Sequence, residues 1–337
     1  MVAKYICFEK KLKAVLKERE LDEPEEGQII VENDYSILSA GTECANYRGL
    51  PNTNVARWGY PFNPGYSASG RVLKCGPKVS TLKVGDRVVS HWGGHTSHNL
   101  WDENKVVKIE DDRVEQLDAA FAHIASFPML AVRSLRIELG ESVMVAGQGL
   151  LGLIAIQLAA LSGGLPVWAA DLSPARRDLS LKLGADRVFD PGEKNYVESV
   201  LEATNGQGIN CVIEVTGFAS ALQEVLKYTA RFGRVSLLGC SRIADATIDF
   251  YRFVHQRGVT LIGGNTTARP DFESHPGAWT HQDDHRVILK LLAAGKLKVR
   301  PLISEIVSPA DANDVYQSII SSKDPPLGFA FDWKTIR

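Results

Sequence analysis

The spacing of apolar and polar residues changes character once along the chain, near residue 114. Before that point, short alternating or β-branched runs such as Gln28–Val31 and Arg87–Ser90 are separated by turn residues, for example at Tyr60–Gly65. A period of two, interrupted by Pro, Gly, Asn and Asp, is typical of strands joined by tight turns. The pattern therefore predicts that residues 1–115 are rich in β-structure.

A helical pattern over Val114–Arg136 opens the second part of the chain, and apolar strands then alternate with helices as far as Ile262. The predicted strands are Ser142–Ala146, Val167–Asp171, Arg187–Phe189, Cys211–Val215, Arg234–Leu238 and Val259–Ile262. The predicted helices between them are Leu150–Leu161, Pro174–Leu183, Asn195–Thr204 and Ala219–Tyr228. Such alternation predicts an α/β fold with a doubly wound parallel sheet. Helices at about His285–Ala294 and Ser308–Ser322 follow a polar loop over Thr266–Asp284.

Charge and cysteine content narrow the class of protein. The 38 Lys and Arg residues nearly balance the 40 Asp and Glu residues, and no long block of like charge occurs. We therefore expect neither a nucleic-acid nor an anionic-membrane partner. The 5 cysteines are scattered without a paired motif. Their spacing predicts no disulfide framework and favours a reducing, cytoplasmic location.

One apolar segment requires a check against membrane insertion. Ser142–Ala170 contains no charged residue and is long enough to span a bilayer. It is interrupted by five glycines and by Pro166, however, and strands that are covered on both faces also read as continuous apolar runs. A buried strand, turn, helix, turn and strand therefore explains the segment better than a membrane span.

A glycine-rich turn follows the first strand of this segment. Gly147-Gln148-Gly149-Leu150-Leu151-Gly152 stands between an apolar strand and an apolar helix. In this pattern the first glycine allows the tight turn, the second admits a pyrophosphate, and the third lets the helix pack closely on the strand. The positive end of the helix would face the phosphates. The motif predicts a dinucleotide site.

Asp171 indicates which dinucleotide binds. It ends the next predicted strand, where a carboxylate can accept hydrogen bonds from the two ribose hydroxyls. A 2′-phosphate would meet the negative charge of Asp171, and Arg176 and Arg177 lie within the following helix rather than directly after the strand. We therefore predict NAD as the cofactor rather than NADP. We also assign Ser126, Arg176, Thr216 and Gly239 to the cofactor site.

Several motifs appear together in a fixed order: Pro64–Val72, Gly85–Val89, the glycine turn with Asp171, Leu183–Asp186, Glu214–Gly217 and Gly233–Gly239. With these motifs the chain resembles the medium-chain dehydrogenase/reductase superfamily, in its zinc-type alcohol and polyol dehydrogenase branch. The resemblance implies a GroES-like β-rich catalytic domain over 1–123 and 267–337, and a Rossmann-type nucleotide domain over 124–266. It also implies an active-site cleft at their junction and assembly as a homodimer or homotetramer.

The zinc ligands that this resemblance implies are absent from the sequence. The three ligand positions correspond to Ala40, Tyr66 and Ala122, and the region of the structural zinc lobe contains no cysteine. An alanine offers no ligand atom, and a phenol does not replace an imidazole on zinc. We therefore expect a zinc-independent enzyme without a bound metal.

Alcohol oxidation without zinc still needs a group that holds the reacting oxygen and removes its proton. By the resemblance, Thr42 matches a proton-relay hydroxyl, Glu43 matches the acidic residue behind the metal, and Tyr66 takes the place of a lost ligand. A phenol titrates near pH 10 and needs a cationic neighbour to act as a base near neutrality. His91, His95 and His123 are the candidate neighbours. Alternatively, Tyr66 only fills the volume that zinc vacates.

Two further readings concern histidines. His91, His95 and His98 would form a new metal site only if the Gly93-Gly94 turn folded the strand back, because on an extended strand they lie too far apart. His98 alone is otherwise a structural residue on the strand that leads to Trp101.

A cluster of aromatic and polar residues indicates the substrate class. We expect Trp92, His275 and Trp279 to line a substrate wall, because Trp and His suit stacking on and hydrogen bonding to a polyhydroxylated ring. A solvated loop that caps the following helix is the alternative reading of His275–His285. A sugar, cyclitol or polyol is therefore the expected substrate.

These features together predict an NAD-dependent, zinc-independent alcohol dehydrogenase that acts on a secondary hydroxyl or the corresponding ketone. Two alternatives remain. A quinone or enoyl reductase of the same superfamily also lacks zinc, but those enzymes usually prefer NADPH, which Asp171 disfavours. A non-catalytic relative that retains NAD as a structural or sensing ligand is the other.

Overall fold

The computed structural model describes residues 1–243 and 245–337, which form two compact units. Unit 1 joins residues 1–124 to residues 281–337, and unit 2 comprises residues 125–280. The first boundary lies one residue after the predicted one, whereas the second lies at 280/281 rather than 266/267. The loop after residue 266 is held within unit 2, because Arg269 Nη2 donates to the Ser126 carbonyl at 3.0 Å and the Arg133 guanidinium stacks 3.9 Å from the Trp279 ring centroid.

The strands, in chain order, are β1 (Val2–Lys10), β2 (Lys13–Glu20), β3 (Gln28–Leu38), β4 (Ser67–Cys75), β5 (Arg87–His91), β6 (His98–Asp102), β7 (Val107–Lys108), β8 (Val143–Ala146), β9 (Val167–Ala170), β10 (Arg187–Phe189), β11 (Ile209–Glu214), β12 (Thr229–Leu237), β13 (Thr260–Gly263), β14 (Glu305–Val307) and β15 (Phe329–Asp332). The helices are α1 (Ala40–Tyr47), α2 (Asn54–Trp58), α3 (Gln116–Ala119), α4 (Ala122–Leu135), α5 (Leu150–Leu161), α6 (Pro174–Lys182), α7 (Tyr196–Ala203), α8 (Ala219–Tyr228), α9 (His281–Ala293) and α10 (Ala312–Ser321).

Unit 1 is built on a mixed sheet in the order β14-β15-β3-β4-β5-β7, and β6 also pairs with β3. The long strand β3 is the centre of this sheet because it pairs antiparallel with β15, β4 and β6. A separate antiparallel hairpin, β1–β2, packs through Phe8 against Tyr47 and Tyr316. The β-rich unit that the sequence predicts is confirmed.

Unit 2 contains a parallel six-stranded sheet in the order β10-β9-β8-β11-β12-β13. This order is the one typical of dinucleotide-binding folds, and it reverses between β8 and β11. All four residues of β8 and of β9 are buried, which explains the continuous apolar runs in the sequence. Among the described residues, no helix has the length and apolarity needed to cross a membrane.

The helix predicted over Val114–Arg136 is divided into α3 and α4, and helices α9 and α10 begin elsewhere than predicted. Helix α9 starts at His281, four positions before the predicted start, because Asp283 and Asp284 lie in its first turn, where carboxylates stabilise the positive end of a helix. Helix α10 starts at Ala312, because residues 309–311 form a separate 3₁₀ turn that the Ser308 side chain caps.

Candidate functional site

The glycine turn of unit 2 has the geometry that a dinucleotide site needs. Gly147 has a φ of 98°, and a Cβ atom at Gly152 would lie 1.9 Å from the Gly147 carbonyl oxygen. These two positions therefore require glycine for the turn and for the close approach of α5. A Cβ atom at Gly149 would meet no atom within 4 Å, so the space beside this residue is open on the side where a phosphate would lie.

Asp171 follows β9 directly and is held by backbone amides. Gln148 N donates to its Oδ2 at 2.6 Å, and Ser173 N donates to its Oδ1 at 2.9 Å. Arg177, one of the two nearby cations, forms an ion pair with Asp190 at 2.9 Å and donates to the Asp171 carbonyl. Asp171 therefore presents a fixed carboxylate beside the glycine turn, while Arg177 is occupied by another partner.

Among the remaining residues predicted for the cofactor site, Gln148 and Thr216 form hydrogen bonds within unit 2. The side chain of Gln148 is buried, donates to the Val145 carbonyl and accepts from Ser180, so it stabilises the turn. Thr216 follows β11, and its backbone and hydroxyl both donate to Glu214, whose pKa is raised by burial. The other predicted residues are Leu150 and Leu151 in the first turn of α5, Arg176 in α6, Ser126 in α4 and Gly239 after β12.

In unit 1, Glu43 and His95 belong to a buried hydrogen-bond network. Glu43 Oε2 accepts from Tyr316 OH at 2.6 Å and lies 2.8 Å from His95 Nε2. His95 Nδ1 lies 2.7 Å from Ser36 Oγ, which accepts from Trp333 Nε1. Both ring nitrogens of His95 are therefore engaged inside this network. The network supports the loop that carries Tyr66, because Gly65 packs directly on the His95 ring.

Four other histidines of unit 1 lie side by side. We call them the histidine cluster: His91 ends β5, His123 lies in the first turn of α4, and His281 and His285 lie one turn apart on α9. The His91 and His123 ring centroids are 4.9 Å apart, and those of His91 and His285 are 5.1 Å apart. His123 Nδ1 lies 3.1 Å from His285 Nε2. The potential ligand atoms of His91, His123 and His285 all lie within 4.8 Å of one another.

Aromatic residues surround the histidine cluster. The Trp92 ring lies 4.7 Å from the His123 ring, and the Tyr66 ring lies 6.0 Å from it. Tyr66 is 7% exposed, whereas Trp92 is 48% exposed although it is a large apolar side chain. The structure therefore brings Tyr66, His91 and His123 together with an accessible indole, as a polar substrate site requires. Thr42 lies on α1, where its carbonyl accepts from Asn46.

His91, His95 and His98 do not come together as the metal site that a folded Gly93-Gly94 turn would create. His95 contacts Glu43, and His98 lies on β6 with its Nε2 3.7 Å from Glu32. Burial lowers the pKa of His98. His91 instead meets histidines from α4 and α9, which the sequence does not place near it.

The residues predicted to line a substrate wall lie in different units. Trp92 belongs to unit 1, whereas His275 and Trp279 belong to unit 2. The Trp279 ring is covered by the Arg133 guanidinium, and His275 is exposed in a tight turn closed by Ala278. Of these three residues, Trp92 lies at the histidine cluster.

The three positions of the family zinc site do not fit a metal. Ala40 and Ala122 begin helices α1 and α4 and present methyl groups, and Tyr66 presents a phenol. The histidine cluster is a different donor set, which the sequence analysis missed. Its one local signal is the spacing His281-x-x-x-His285, which places two imidazoles on one face of a helix only if the helix begins at His281.

Comparisons with known proteins agree with this architecture. Residues 27–115 match the family described as alcohol dehydrogenase GroES-like domain, and residues 151–275 match the family described as zinc-binding dehydrogenase. An L-threonine 3-dehydrogenase of Pyrococcus furiosus is 29% identical over 325 residues, covering 86% of this chain and 87% of that protein. A D-guloside 3-dehydrogenase of Escherichia coli K12 is 27% identical over 263 residues, covering 77% and 74%. A solved structure from Sinorhizobium meliloti 1021, described as a zinc-binding dehydrogenase bound to NADP, has a TM-score of 0.83 at 19% identity and covers 98% of this chain and 99% of that one.

Proposed function

Because the chain belongs to the medium-chain dehydrogenase/reductase superfamily, we propose that it is an NAD-dependent dehydrogenase that interconverts a secondary hydroxyl and a ketone on a sugar, cyclitol or polyol. The two curated relatives are dehydrogenases, of L-threonine and of a D-guloside, and the solved structure from Sinorhizobium meliloti is described as bound to NADP. The cofactor, the substrate class and independence from the family zinc site are the finer parts of the proposal, and each rests on particular residues.

The preference for NAD rests on Asp171, which is the observation that carries the proposal. Its carboxylate is fixed beside the glycine turn by two backbone amides, which use one acceptor position on each oxygen. An ionised carboxylate has about four acceptor positions, so it can still accept from both ribose hydroxyls. The same charge repels a 2′-phosphate. The NADP named for the Sinorhizobium structure applies to that protein, since 19% identity supports a shared fold alone.

The reacting oxygen is proposed to bind at the histidine cluster, in contact with Tyr66. The phenol can donate a hydrogen bond to a ketone oxygen or accept one from an alcohol. Hydrogen bonds from N–H groups of the adjacent imidazoles would stabilise the oxygen anion that develops as hydride leaves the carbon. Ala40 and Ala122 offer no ligand atom, so the proposal involves no zinc at the family positions.

The proposed substrate class rests on the exposed indole of Trp92 and on the histidine cluster, whose His123 and His281 rings lie 4.7 Å and 6.2 Å from the Trp92 ring. An indole face suits the C–H face of a sugar or cyclitol ring, and imidazole nitrogens suit its hydroxyls. A relative that acts on a guloside at position 3 supports a secondary ring hydroxyl, and one that acts on threonine supports a secondary hydroxyl in general.

A substrate screen with the full chain tests the proposal. Sugars, cyclitols and polyols are supplied with NAD⁺ or NADP⁺, and formation of the reduced cofactor is followed by its near-ultraviolet absorbance. Enones and quinones with NADH or NADPH form the second arm. We expect turnover of a polyhydroxylated substrate with NAD⁺. Turnover confined to enones or quinones with NADPH would assign the reductase class instead, and NADH binding without turnover in either arm would leave a non-catalytic role.

A further inference from the structure

The histidine cluster has the composition of a metal site that is separate from the family zinc positions. We propose that His91, His123 and His285 bind one divalent first-row transition metal ion, with zinc as the expected occupant. The inference goes beyond the proposed function, because metal binding can be measured whether or not the protein turns over a substrate. It also revises the expectation of a metal-free protein, which rested on Ala40, Tyr66 and Ala122.

The positions of the nitrogen atoms support this assignment. Zinc binds imidazole nitrogen at about 2.0–2.1 Å, so two ligands of a tetrahedral site lie about 3.3 Å apart. His123 Nδ1 and His285 Nε2 are already 3.1 Å apart. No pair among the three ligand atoms exceeds 4.8 Å. The widest separation must therefore close by about 1.5 Å, which side-chain rotation can supply.

The backbone that carries His91 and His123 is held in place by hydrogen bonds. His91 pairs with Ser67 in the β4–β5 ladder, and the Ser67 hydroxyl donates to the Ala120 carbonyl just before α4. His123 lies in the first turn of α4, where the amide of Ile124 donates to the same Ser67 hydroxyl at 3.3 Å. One serine therefore ties β4, β5 and the start of α4 together. This support lowers the cost of ordering these two ligands when the metal binds.

The histidine cluster offers buried imidazole nitrogens as ligands. His123 and His285 are each 1% exposed. A neutral imidazole carries one N–H and one lone pair, and a transition metal ion accepts several such lone pairs at once. Imidazole ligands select zinc, copper, nickel or iron rather than magnesium or calcium.

Three protein ligands leave a fourth coordination position open, as in catalytic zinc sites. His281 lies one turn before His285 on α9, and its ring centroid is 6.0 Å from that of His285. Because His281 is not among the residues whose ligand atoms lie within 4.8 Å of one another, we assign it to the wall of the site rather than to the ligand set. A metal ion bound here would supply positive charge close to Tyr66, whose ring lies 6.0 Å from that of His123.

Titration with Co²⁺ tests the site. The full chain is stripped with a chelator and titrated with Co²⁺, whose visible absorption is intense in a tetrahedral site, and Zn²⁺ is then added to displace it. We expect one metal ion per chain. The variant His91→Ala should weaken Co²⁺ binding by more than about 100-fold, since loss of an outer-shell partner alone costs 10–100-fold. His91 is the ligand of choice because it is partly exposed, so its replacement perturbs folding least.

Two controls make the test specific. His255 is exposed in unit 2 and lies outside the histidine cluster, so His255→Ala should leave Co²⁺ binding unchanged. His285→Ala should abolish the tetrahedral absorption, and NADH titration of each variant shows whether the cofactor unit remains folded. The inference is overturned if the wild-type chain takes up no stoichiometric Co²⁺ or Zn²⁺, or if His91→Ala binds as the wild type does. A chain that binds metal but turns over no substrate would refute the proposed function and leave the metal site standing.

Discussion

The substitution Asp171→Ser tests the basis of cofactor choice. Serine removes the charge that we propose accepts the ribose hydroxyls and repels a 2′-phosphate. Asp171 is partly exposed, so water can reach the amides of Gln148 and Ser173 that the carboxylate now holds. The variant should therefore fold, and its defect should appear in cofactor binding.

The size of the effect follows from the hydrogen bonds that are lost. A hydrogen bond to a charged group contributes about 1.5–3 kcal/mol, and each 1.4 kcal/mol corresponds to a tenfold change in Kd. Two ribose hydroxyls share one carboxylate, and water replaces part of what is lost. We therefore expect NADH to bind about 10–100-fold more weakly to Asp171→Ser. NADPH should bind as well as before or better, because the repelling charge is gone.

Fluorescence titration of both reduced cofactors measures this directly. Asp178 is exposed on α6, the helix that follows Asp171, so Asp178→Ser removes an equal charge without touching the glycine turn, and it should leave both affinities unchanged. If Asp171→Ser weakened NADH and NADPH by the same factor, Asp171 would only support the turn. A wild-type chain that binds NADPH more tightly than NADH would refute the reasoning outright.

Three further predictions concern catalysis, the glycine turn and pH. Tyr66→Phe should lower kcat roughly 10²–10⁴-fold with unchanged NADH binding; normal turnover would mean that Tyr66 only fills space. Gly152→Ala should lower the free energy of unfolding in urea by about 1–3 kcal/mol, because its Cβ would meet the Gly147 carbonyl. Gly149→Ala should instead leave the stability unchanged and weaken NADH binding. Equal losses of stability in the two variants would contradict this. Burial lowers the pKa of His98, so the unfolded chain takes up the proton and stability should fall as the pH drops below about 6.5. His98→Asn should lose less stability than the wild type between about pH 7.5 and pH 5.5, as urea unfolding can show, and an equal loss would rule His98 out as a source.

The cofactor site could be predicted from sequence because its chemistry is local. The glycine turn, the helix after it and Asp171 lie within a single βαβ unit, so their spacing along the chain fixes their spacing in the fold. The parallel sheet followed from the same alternation of strands and helices, and the structure and the family match confirm it.

The histidine cluster could not be predicted in the same way. Its members come from β5, α4 and α9, and His123 and His285 are 162 positions apart. The His281-x-x-x-His285 spacing was available, but the sequence placed the helix start at His285, which removed the shared helical face. His95 shows the opposite case: it stands close to His91 in sequence, yet its ring nitrogens contact Ser36 and Glu43.

Hydride transfer from a carbinol carbon to NAD⁺ is the central claim, and isotope transfer tests it most directly. The full chain is incubated with NAD⁺ and a mixture of sugars, cyclitols and polyols that carry deuterium on every carbinol carbon, and the reduced cofactor is analysed by mass spectrometry. The account predicts singly deuterated NADH, made by the wild type and made far more slowly by Tyr66→Phe. NADH without deuterium, or no reduced cofactor from any polyhydroxylated substrate, would contradict it.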